Sequence, residues 1–350
     1  MHILMVGAGS QPPTFIQRQI KTLAENQARV SLLPDSFSHK YLRTRLARQG
    51  FTFQLPGEMK ELARQADLIH FQWPGHYLAY QALAKKFHKP AVLSLRGRQI
   101  SILPHLQGNE RYRRQLQGAL ADCAAYHCVS EAIKGEAVDF GADPERAWVI
   151  RPAVDTGFFH PPDSRPEAPP FEIVMVGALM WRKGYEFALA AVRLLKESGE
   201  LFRLTIVGQG PDEARIEQAV KDFDLSAEVR LLNGLSPPGV RHLLHRSHVF
   251  LHTSLSEGIS NAVVEAMACG LPVVTSEAGG MREAVTDGAQ GFVIPLRDPQ
   301  AAACRLKQIF RSPDLRRTLG RNARKKATAE FELNYQGARF IELYQTVMSQ

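Results

Sequence analysis

The sequence predicts an α/β protein made of two doubly wound domains with parallel sheets, and three observations support this class. Short apolar runs alternate with longer amphipathic stretches along the 350 residues, as in parallel strands covered by helices on both faces. A chain of this length exceeds one ordinary hydrophobic core and fits two domains of about 150 residues each. Between the halves, the segment 161–170 is half proline, which indicates a stiff extended linker.

The strands are predicted from apolar runs of four to seven residues. In the first half these runs are 2–7, 30–33, 51–55, 67–71, 91–95, 125–129 and 147–150. In the second half they are 171–177, 202–208, 228–232, 248–252, 272–276 and 291–294.

The helices are predicted from apolar residues repeated at helical spacing. The clearest cases are the segments 14–28, 184–198, 211–223 and 298–310. The last stretch, 331–350, is predicted as one more helix, whose apolar anchors are Phe331, Tyr335, Phe340 and Tyr344.

These elements divide the chain into a first domain at 1–160, a linker at 161–170, a second domain at 171–330 and a C-terminal helix at 331–350. We expect this helix to pack back on the first domain. Ligands of open parallel sheets bind at the carboxyl ends of the strands. We therefore expect the two domains to face each other across a ligand-binding cleft.

The composition fits a globular protein, with 45% hydrophobic and 22% charged residues. The four cysteines, Cys123, Cys128, Cys269 and Cys304, lie in apolar stretches without metal-type spacing, which predicts reduced core thiols in a cytoplasmic protein. The N-terminal apolar run is too short for a signal peptide, and no uncharged run approaches the roughly 18 residues of a membrane span. We therefore expect no integral membrane protein.

The net charge of +8 is concentrated in the first half. Residues 1–165 carry 21 Lys and Arg against 14 Asp and Glu, whereas residues 166–350 carry 22 against 21. This basic excess indicates either solvated helix faces or attraction to an anionic membrane surface or a phosphorylated acceptor. Nucleic acid is not expected as a partner, because no motif interleaves aromatic and basic residues.

The most informative segment is SLSEGISNAVVEAMACGLPVV, residues 254–274. It places Glu257 in a loop and Glu265 about two helical turns later. Ser260 or Asn261 is expected to cap the intervening helix, and Gly270 suits the left-handed position after its end.

The backbone amides of Gly258, Ile259 and Ser260 would then lie at a helix N-terminus, which is an anion site suited to phosphate. The carboxylates of Glu257 and Glu265 flank this turn. This layout suits a ligand with hydroxyl groups on both sides of a phosphate, as in a nucleotide-sugar.

Four segments in order resemble the retaining nucleotide-sugar glycosyltransferases of family 4, which have the GT-B fold of two facing Rossmann-like domains. VGALMWRKG (176–184) resembles the family's phosphate loop, and IVGQGP (206–211) resembles its strand-ending glycine turn. The segment 254–274 resembles its paired-glutamate motif, and SEAGGMREAV (276–285) resembles its Gly-Gly-x-x-Glu segment. The segment 129–161 resembles the end of the family's first domain.

The resemblance implies a role for each matching residue. Glu257 would support the reacting centre beside the donor sugar, and Glu265 would hold the ribose hydroxyls through charge-assisted hydrogen bonds. Lys183 and Arg182 would stabilise the charge that develops on the leaving diphosphate. Further donor contacts are implied for Gly177, Gly208, Gly258, Ile259, Ser260 and Asn261. This chemistry requires no metal and no cofactor besides the donor itself.

The chain departs from the family pattern at two positions. Ala178 stands where family members often carry an arginine, so Arg182 would supply that cation or the diphosphate would be held more weakly. Arg96 precedes Gly97 where many relatives have histidine. Arginine stays protonated and cannot act as a general base. Arg96 would instead bind an anionic group of donor or acceptor, or make a structural contact.

Other acceptor-side candidates lie in the first domain. Thr14 is expected to cap the first helix, and Gln11 to meet a phosphate or the acceptor. His70 and Trp73 follow a predicted strand, and Trp73 would either stack on an acceptor sugar or pack locally.

Together these features predict a glycosyltransferase that moves a hexosyl-type residue from a nucleoside diphosphate sugar to a sugar or lipid-linked acceptor. The family resemblance implies that the anomeric configuration is retained. The expected setting is polysaccharide or glycolipid synthesis, with the protein peripheral to the inner face of the membrane. A nucleotide-sugar epimerase and a non-catalytic sugar-nucleotide binding protein remain alternatives. The base, the donor sugar and the acceptor stay open.

Overall fold

The structure, a computed structural model, describes residues 1–8, 12–33, 57–166 and 168–350. The chain divides into two compact units. Unit 1 comprises Met1–Ala153 together with Leu333–Gln350, and unit 2 comprises Val154–Glu332. The predicted strand at 51–55 lies outside the described residues.

Unit 1 contains a six-stranded parallel sheet in the order β2-β1-β3-β4-β5-β6. Its strands are β1 His2–Val6, β2 Arg29–Leu32, β3 Leu68–Phe71, β4 Ala91–Leu95, β5 Ala125–Cys128 and β6 Ala147–Val149. The described helices of this unit are Thr14–Glu25, Gly57–Gln65, Pro74–Lys86, Arg98–Ser101, Glu110–Asp122, Glu131–Asp139 and Leu333–Met348. The four inner strands are buried throughout, which explains why their sequences are mostly apolar.

Unit 2 repeats this architecture with the strand order β12-β11-β10-β7-β8-β9, again all parallel. Its strands are β7 Phe171–Val176, β8 Phe202–Val207, β9 Val229–Leu232, β10 Val249–His252, β11 Val273–Ser276 and β12 Gly291–Ile294. Its α-helices are Tyr185–Glu197, Glu213–Asp222, Pro237–Arg246, Asn261–Ala268, Met281–Ala284, Pro299–Arg311 and Pro313–Glu330. The predicted class of two doubly wound parallel sheets is confirmed.

A buried chain of hydrogen bonds crosses the sheet of unit 1. His127 Nε2 lies 2.9 Å from the carbonyl oxygen of Ile150, so this nitrogen carries the proton and donates. His127 Nδ1 therefore accepts from the Ser94 hydroxyl at 2.8 Å, and Ser94 Oγ accepts in turn from His70 Nε2 at 2.8 Å. Burial lowers the pKa of both imidazoles well below the usual value, and nearby Arg96 lowers it further, so both rings are neutral.

The C-terminal helix completes this chain. Because His70 donates through Nε2, its Nδ1 accepts from the Tyr344 hydroxyl at 2.6 Å. Phe340 packs beside Tyr344 and against His127, with ring centroids 5.9 Å and 4.7 Å apart. Helix Leu333–Met348 thus contributes both core and polar groups to unit 1.

Two expectations for the anchors of this helix were wrong. Tyr335 is 56% exposed, because it lies on the solvent side of the helix. Phe331 precedes the helix and is buried in the core of unit 2 instead.

The proline-rich segment also differs from the prediction, because it belongs to unit 2 rather than standing between two domains. The Arg165 guanidinium donates to the carbonyl oxygens of Leu244 at 2.7 Å, Ser247 at 2.9 Å and Cys269. These carbonyls lie at or near the C-terminal ends of helices Pro237–Arg246 and Asn261–Ala268, where helices leave acceptors unpaired. The contacts fasten this stretch to unit 2.

Three of the four cysteines are buried free thiols, but Cys304 is exposed. Cys304 occupies a helix, Pro299–Arg311, whose buried residues are Ala302, Ala303, Leu306 and Ile309. The expectation of a core thiol was therefore wrong for Cys304, which lies outside this apolar face.

We expect Gly208→Ala to lower the free energy of unfolding by about 1–3 kcal/mol through overpacking. A Cβ at position 208 would lie 1.9 Å from the carbonyl oxygen of Gly177, which is backbone and cannot move aside easily. Gly234→Ala is the matched control, because its Cβ would meet nothing closer than 3.7 Å. Urea denaturation followed by circular dichroism gives both values, and equal stabilities would contradict the packing argument.

We expect Tyr344→Phe to destabilise unit 1 by about 1–3 kcal/mol, because His70 Nδ1 would lose its donor inside the core. Tyr335→Phe removes the same hydroxyl from the exposed side of this helix and should change stability by less than about 0.5 kcal/mol. Thermal melting of the two variants measures the difference. A similar effect of both would show that the hydrogen-bond chain contributes nothing.

Candidate functional site

The candidate site of unit 2 is formed by three loops that follow neighbouring strands. The loops at 177–184, 253–260 and 277–280 leave the carboxyl ends of β7, β10 and β11, which are adjacent in the sheet. Parallel strands bring these ends to one edge. The loops are also tied together, because Leu255 N donates to the carbonyl oxygen of Arg182 at 2.7 Å.

A buried carboxylate, Glu257, lies at the centre of the site. Its side chain is 9% exposed, and Lys183 Nζ donates directly to its Oε1. Arg182 Nη1 lies 3.5 Å from its Oε2 and also donates to the Ser256 carbonyl oxygen at 3.2 Å. The structure therefore brings together the three residues that were predicted to be catalytic.

The positive and negative charges around Glu257 do not balance. Burial alone would raise the pKa of Glu257, but Lys183, His252 and Arg182 outweigh it and hold the pKa well below the usual range. Burial lowers the pKa of His252, which is therefore neutral near pH 7. One carboxylate thus faces two cations, and the cluster carries one surplus positive charge.

His252, at the end of β10, and Ser254, two residues later, contact the Glu257 carboxylate. The Ser254 hydroxyl lies 3.0 Å from Glu257 Oε1 and 3.1 Å from His252 Nε2, while His252 Nδ1 lies 3.1 Å from Thr275 Oγ1. All of these side chains are buried. Sequence reasoning missed His252 and Ser254, although polar residues at the end of an apolar strand are the signal that points to them.

Two glycines allow the loops to approach each other. Gly184 has φ +64°, and a Cβ there would lie 2.2 Å from the carbonyl oxygen of Thr253. Gly279 has φ +51°, and a Cβ there would lie 1.9 Å from the carbonyl oxygen of Glu257. Only glycine fits these positions without backbone movement, so the loop that carries Glu257 is held from both sides.

The N-terminus of helix Asn261–Ala268 lies next to this cluster. Ser260 occupies the N-cap position, one of the two expected, but its side chain makes no capping hydrogen bond. Asn261, the alternative, is the first helical residue and does not cap the helix. Among the hydrogen bonds of the described residues, none is donated by the amides of Gly258, Ile259 or Ser260. These donors remain free to bind an anion.

One face of this short helix carries oxygen acceptors. Asn261 and Glu265 are one turn apart and half-buried, whereas Val263, Val264 and Ala266 are packed in the core. The Asn261 Oδ1 atom is buried and has no hydrogen-bond partner among the described residues. Acceptors of this kind suit hydroxyl donors of a ligand. Beyond the helix, Gly270 adopts the predicted left-handed conformation, with φ +71°.

Gly177 and Gly208 lie at the ends of β7 and β8. The Lys183 side chain passes Gly177, and a Cβ added at Gly177 would lie 3.6 Å from Lys183 Cε. Gly208 packs its Cα against the Gly177 carbonyl, so the structure gives it a packing role. Ala178, at the position where the family resemblance predicts a cation, is exposed.

The acceptor-side candidates of unit 1 have mixed positions. His70 is fully buried in the hydrogen-bond chain and is enclosed by protein groups. Trp73 and Arg96 are half-buried and adjacent, with the guanidinium carbon 5.8 Å from the indole ring centroid. Thr14 is exposed and is the first helical residue after the N-cap Pro13, so it does not cap the helix as expected. Gln11 lies outside the described residues.

The described residues lack two features that would bear on function. They contain no group of three or more His, Cys, Asp or Glu side chains arranged to hold a metal ion. Nor does any helix among them have both the length and the apolar character needed to cross a membrane.

Two family models match consecutive parts of the chain. The model described as "Glycosyl transferases group 1" matches residues 159–326, which include the whole cluster around Glu257. The model described as "Glycosyltransferase Family 4" matches residues 14–158.

Curated relatives include the putative colanic acid biosynthesis glycosyltransferase WcaL of Salmonella typhimurium. It is 31% identical over 226 residues, which cover 63% of this chain and 56% of the relative. The amylovoran biosynthesis glycosyltransferase AmsK of Erwinia amylovora is 29% identical over 261 residues, which cover 71% of this chain and 62% of the relative. The chain therefore spans less than two thirds of the length of these relatives.

Solved structures share the architecture of the whole chain. The complex of Anabaena HepE with UDP has a TM-score of 0.79 at 19% identity, and the match covers 99% of this chain and 100% of that one. Sucrose-phosphate synthase from Thermosynechococcus elongatus has a TM-score of 0.80 at 18% identity, with coverage of 100% and 99%. Both are GT-B proteins, so the predicted GT-B fold is confirmed.

We expect Lys183→Ala to destabilise unit 2 by about 3–5 kcal/mol near pH 7, because Glu257 would keep a buried charge without its direct partner. Burial raises the pKa of Glu257 and Lys183 lowers it, so removing Lys183 raises this pKa. The carboxyl group of the variant therefore takes up a proton at a higher pH. The deficit relative to the wild type should therefore shrink as the pH falls from 7 towards 5. The wild-type pair keeps its contribution throughout this window, because its depressed folded pKa lies lower still.

Urea denaturation at several pH values measures this deficit. Lys196→Ala is the matched control, because Lys196 pairs with Asp224 and Glu228 at the surface. This variant should lower the free energy of unfolding by less than about 1 kcal/mol. A deficit of Lys183→Ala that stays constant between pH 7 and 5 would contradict the assigned pairing.

Proposed function

Because the chain belongs to the group 1 glycosyltransferases of family 4, we propose that it transfers a sugar from a nucleoside diphosphate sugar to an acceptor hydroxyl. The anomeric configuration is retained, as the family resemblance implies. The acceptor is a sugar or a lipid-linked sugar in polysaccharide or glycolipid synthesis. The relatives named for colanic acid and amylovoran biosynthesis support this setting.

The surplus positive charge beside Glu257 is the observation that carries the proposal. A diphosphate gains negative charge when the bond to its sugar breaks, and Lys183 and Arg182 lie where they can stabilise that charge. The unpaired amides of Gly258 to Ser260 add donors that suit phosphate oxygens. Both groups belong to unit 2, next to the same loop.

The acceptor groups on helix Asn261–Ala268 extend this site towards a nucleoside. A carboxylate at Glu265 can accept hydrogen bonds from two vicinal ribose hydroxyls, which is a strong, charge-assisted arrangement. HepE, which shares the fold, was solved with UDP and with UDP-glucose. These complexes support a nucleotide-sugar as the donor class.

The environment of Glu257 favours a mechanism without a covalent intermediate. Its oxygens already receive hydrogen bonds from Lys183 and Ser254, and Arg182 lies close by. These contacts lower the nucleophilicity of the carboxylate and favour a role in supporting charge at the reacting centre. The sugar then leaves and is attacked on the same face, while the departing diphosphate accepts the proton of the acceptor hydroxyl.

We expect Glu265→Ala to weaken binding of a nucleoside diphosphate by about 1.5–3 kcal/mol, because the ribose would lose its charged acceptor. Glu257→Ala should instead lower turnover by about 100-fold. Its affinity for the diphosphate should be unchanged or higher, because Lys183 would lose the carboxylate that competes with the phosphates. Isothermal titration with UDP, GDP and ADP measures binding, and release of nucleoside diphosphate measures turnover.

Glu217→Ala removes an exposed carboxylate of the same unit and serves as the control for lost charge. Equal loss of nucleotide affinity in Glu257→Ala and Glu265→Ala would contradict the separate roles. Binding without release of nucleoside diphosphate would identify a non-catalytic sugar-nucleotide binding protein. A changed sugar still attached to its nucleotide would identify an epimerase.

A further inference from the structure

We propose that unit 1 carries a subsite for a carboxylate or phosphate group, built on Arg96 and Gln72 beyond the carboxyl ends of β4 and β3. The subsite itself is argued from unit 1 alone. Its assignment to a substrate of glycosyl transfer rests on the proposed function.

The guanidinium of Arg96 is a cation surrounded by neutral groups. Its Nη2 donates to Gln72 Oε1 at 2.7 Å and lies 3.3 Å from Ser94 Oγ. The guanidinium carbon lies 4.9 Å from the ring centroid of Phe15 and 5.8 Å from that of Trp73. Within the described part of the chain, no carboxylate forms an ion pair with this side chain.

Two hydrogen-bond donors at this position have no acceptor. Arg96 Nε and Gln72 Nε2 are both buried and unpartnered among the described residues. The Gln72 side chain is fully buried, so its Nε2 cannot turn to solvent. Buried donors of this kind are costly to leave unpaired. Burial lowers the pKa of Arg96 to about 10, so the guanidinium is still charged at pH 7.

The chemistry of these groups defines the ligand. The unpaired groups are donors and include a full positive charge, so a neutral hydroxyl would satisfy a hydrogen bond but leave the charge unbalanced. A carboxylate or phosphate satisfies both, because a planar guanidinium binds two of its oxygens side by side. Arg96 as a whole is only partly buried, so part of its side chain is exposed to solvent, whereas its Nε is enclosed. The +7 charge of residues 1–165 attracts such anions from a distance.

The flanking aromatic residues add a second feature. Phe15 and Trp73 pack edge to face with ring centroids 6.0 Å apart, and both remain half-buried. An aromatic surface beside a cation fits the apolar face of a sugar ring that carries the anion. We therefore infer an anionic sugar, either a uronic acid or a sugar phosphate, as the ligand class.

Saturation-transfer NMR on the full chain, with ligands at millimolar concentration, tests this inference. The probes are glucuronate, glucose 6-phosphate and neutral glucose. We expect at least one anionic sugar to bind at least tenfold more tightly than glucose. Preference for glucuronate alone would assign a carboxylate, preference for glucose 6-phosphate alone a phosphate, and equal preference their shared charge.

Arg96→Gln should reduce anion affinity to within twofold of that for glucose. Arg98→Gln removes an exposed charge two residues away and should keep the preference. If Arg96→Gln fails to fold, Gln72→Leu keeps the charge, removes one donor and should weaken anion binding about threefold. Equal binding of charged and neutral sugars by the wild type, or a preserved preference in Arg96→Gln, would overturn the proposal.

UDP binding measured on the same samples separates this inference from the donor site. Wild-type protein that binds anionic sugars but not UDP would contradict the proposed function and leave the subsite standing. Protein that binds UDP without any preference among the sugars would contradict the subsite and leave the proposed function standing.

Discussion

The candidate site of unit 2 depends on keeping the Glu257 carboxylate ionised although it is nearly buried. A buried negative charge requires nearby cations and donors, and Lys183, Arg182 and Ser254 supply them. These partners come from separate loops, so the loops must approach closely. Gly184 and Gly279 permit that approach, because any side chain there would collide with a backbone carbonyl.

Buried titratable side chains are stabilised differently in the two units. In unit 1, burial removes the charge from His70 and His127, and one proton order satisfies the whole chain of hydrogen bonds. In unit 2, the charge on Glu257 is kept and opposed by cations. The first arrangement leaves a neutral core, whereas the second leaves one positive charge of Lys183 and Arg182 uncompensated by Glu257. The two sheets are both six-stranded and parallel, but they differ in strand order and in how they treat buried charge.

Much of the fold could be predicted from the sequence, because inner strands such as β1 and β4 are buried on both faces and their sequences are mostly apolar. Glu257 and Lys183 could be singled out because they follow such strands. Their direct contact could not be predicted, since 74 residues separate them and only the sheet order brings them together. Caps were less predictable. Thr14 lies one position past the N-cap, which is Pro13, and the residue type at position 260 does not fix the rotation of its side chain.

The discontinuity of unit 1 has a consequence for the order of folding. A ribosome completes residues 1–153 long before it makes the helix Leu333–Met348, which supplies Phe340 and Tyr344 to the same core. Until this helix emerges, the nascent first unit exposes an apolar face and lacks the hydroxyl donor to His70. Unit 2 is contiguous and complete by residue 332. The second half of the chain can therefore finish folding before the first, and the interval is one in which chaperones would protect the exposed face.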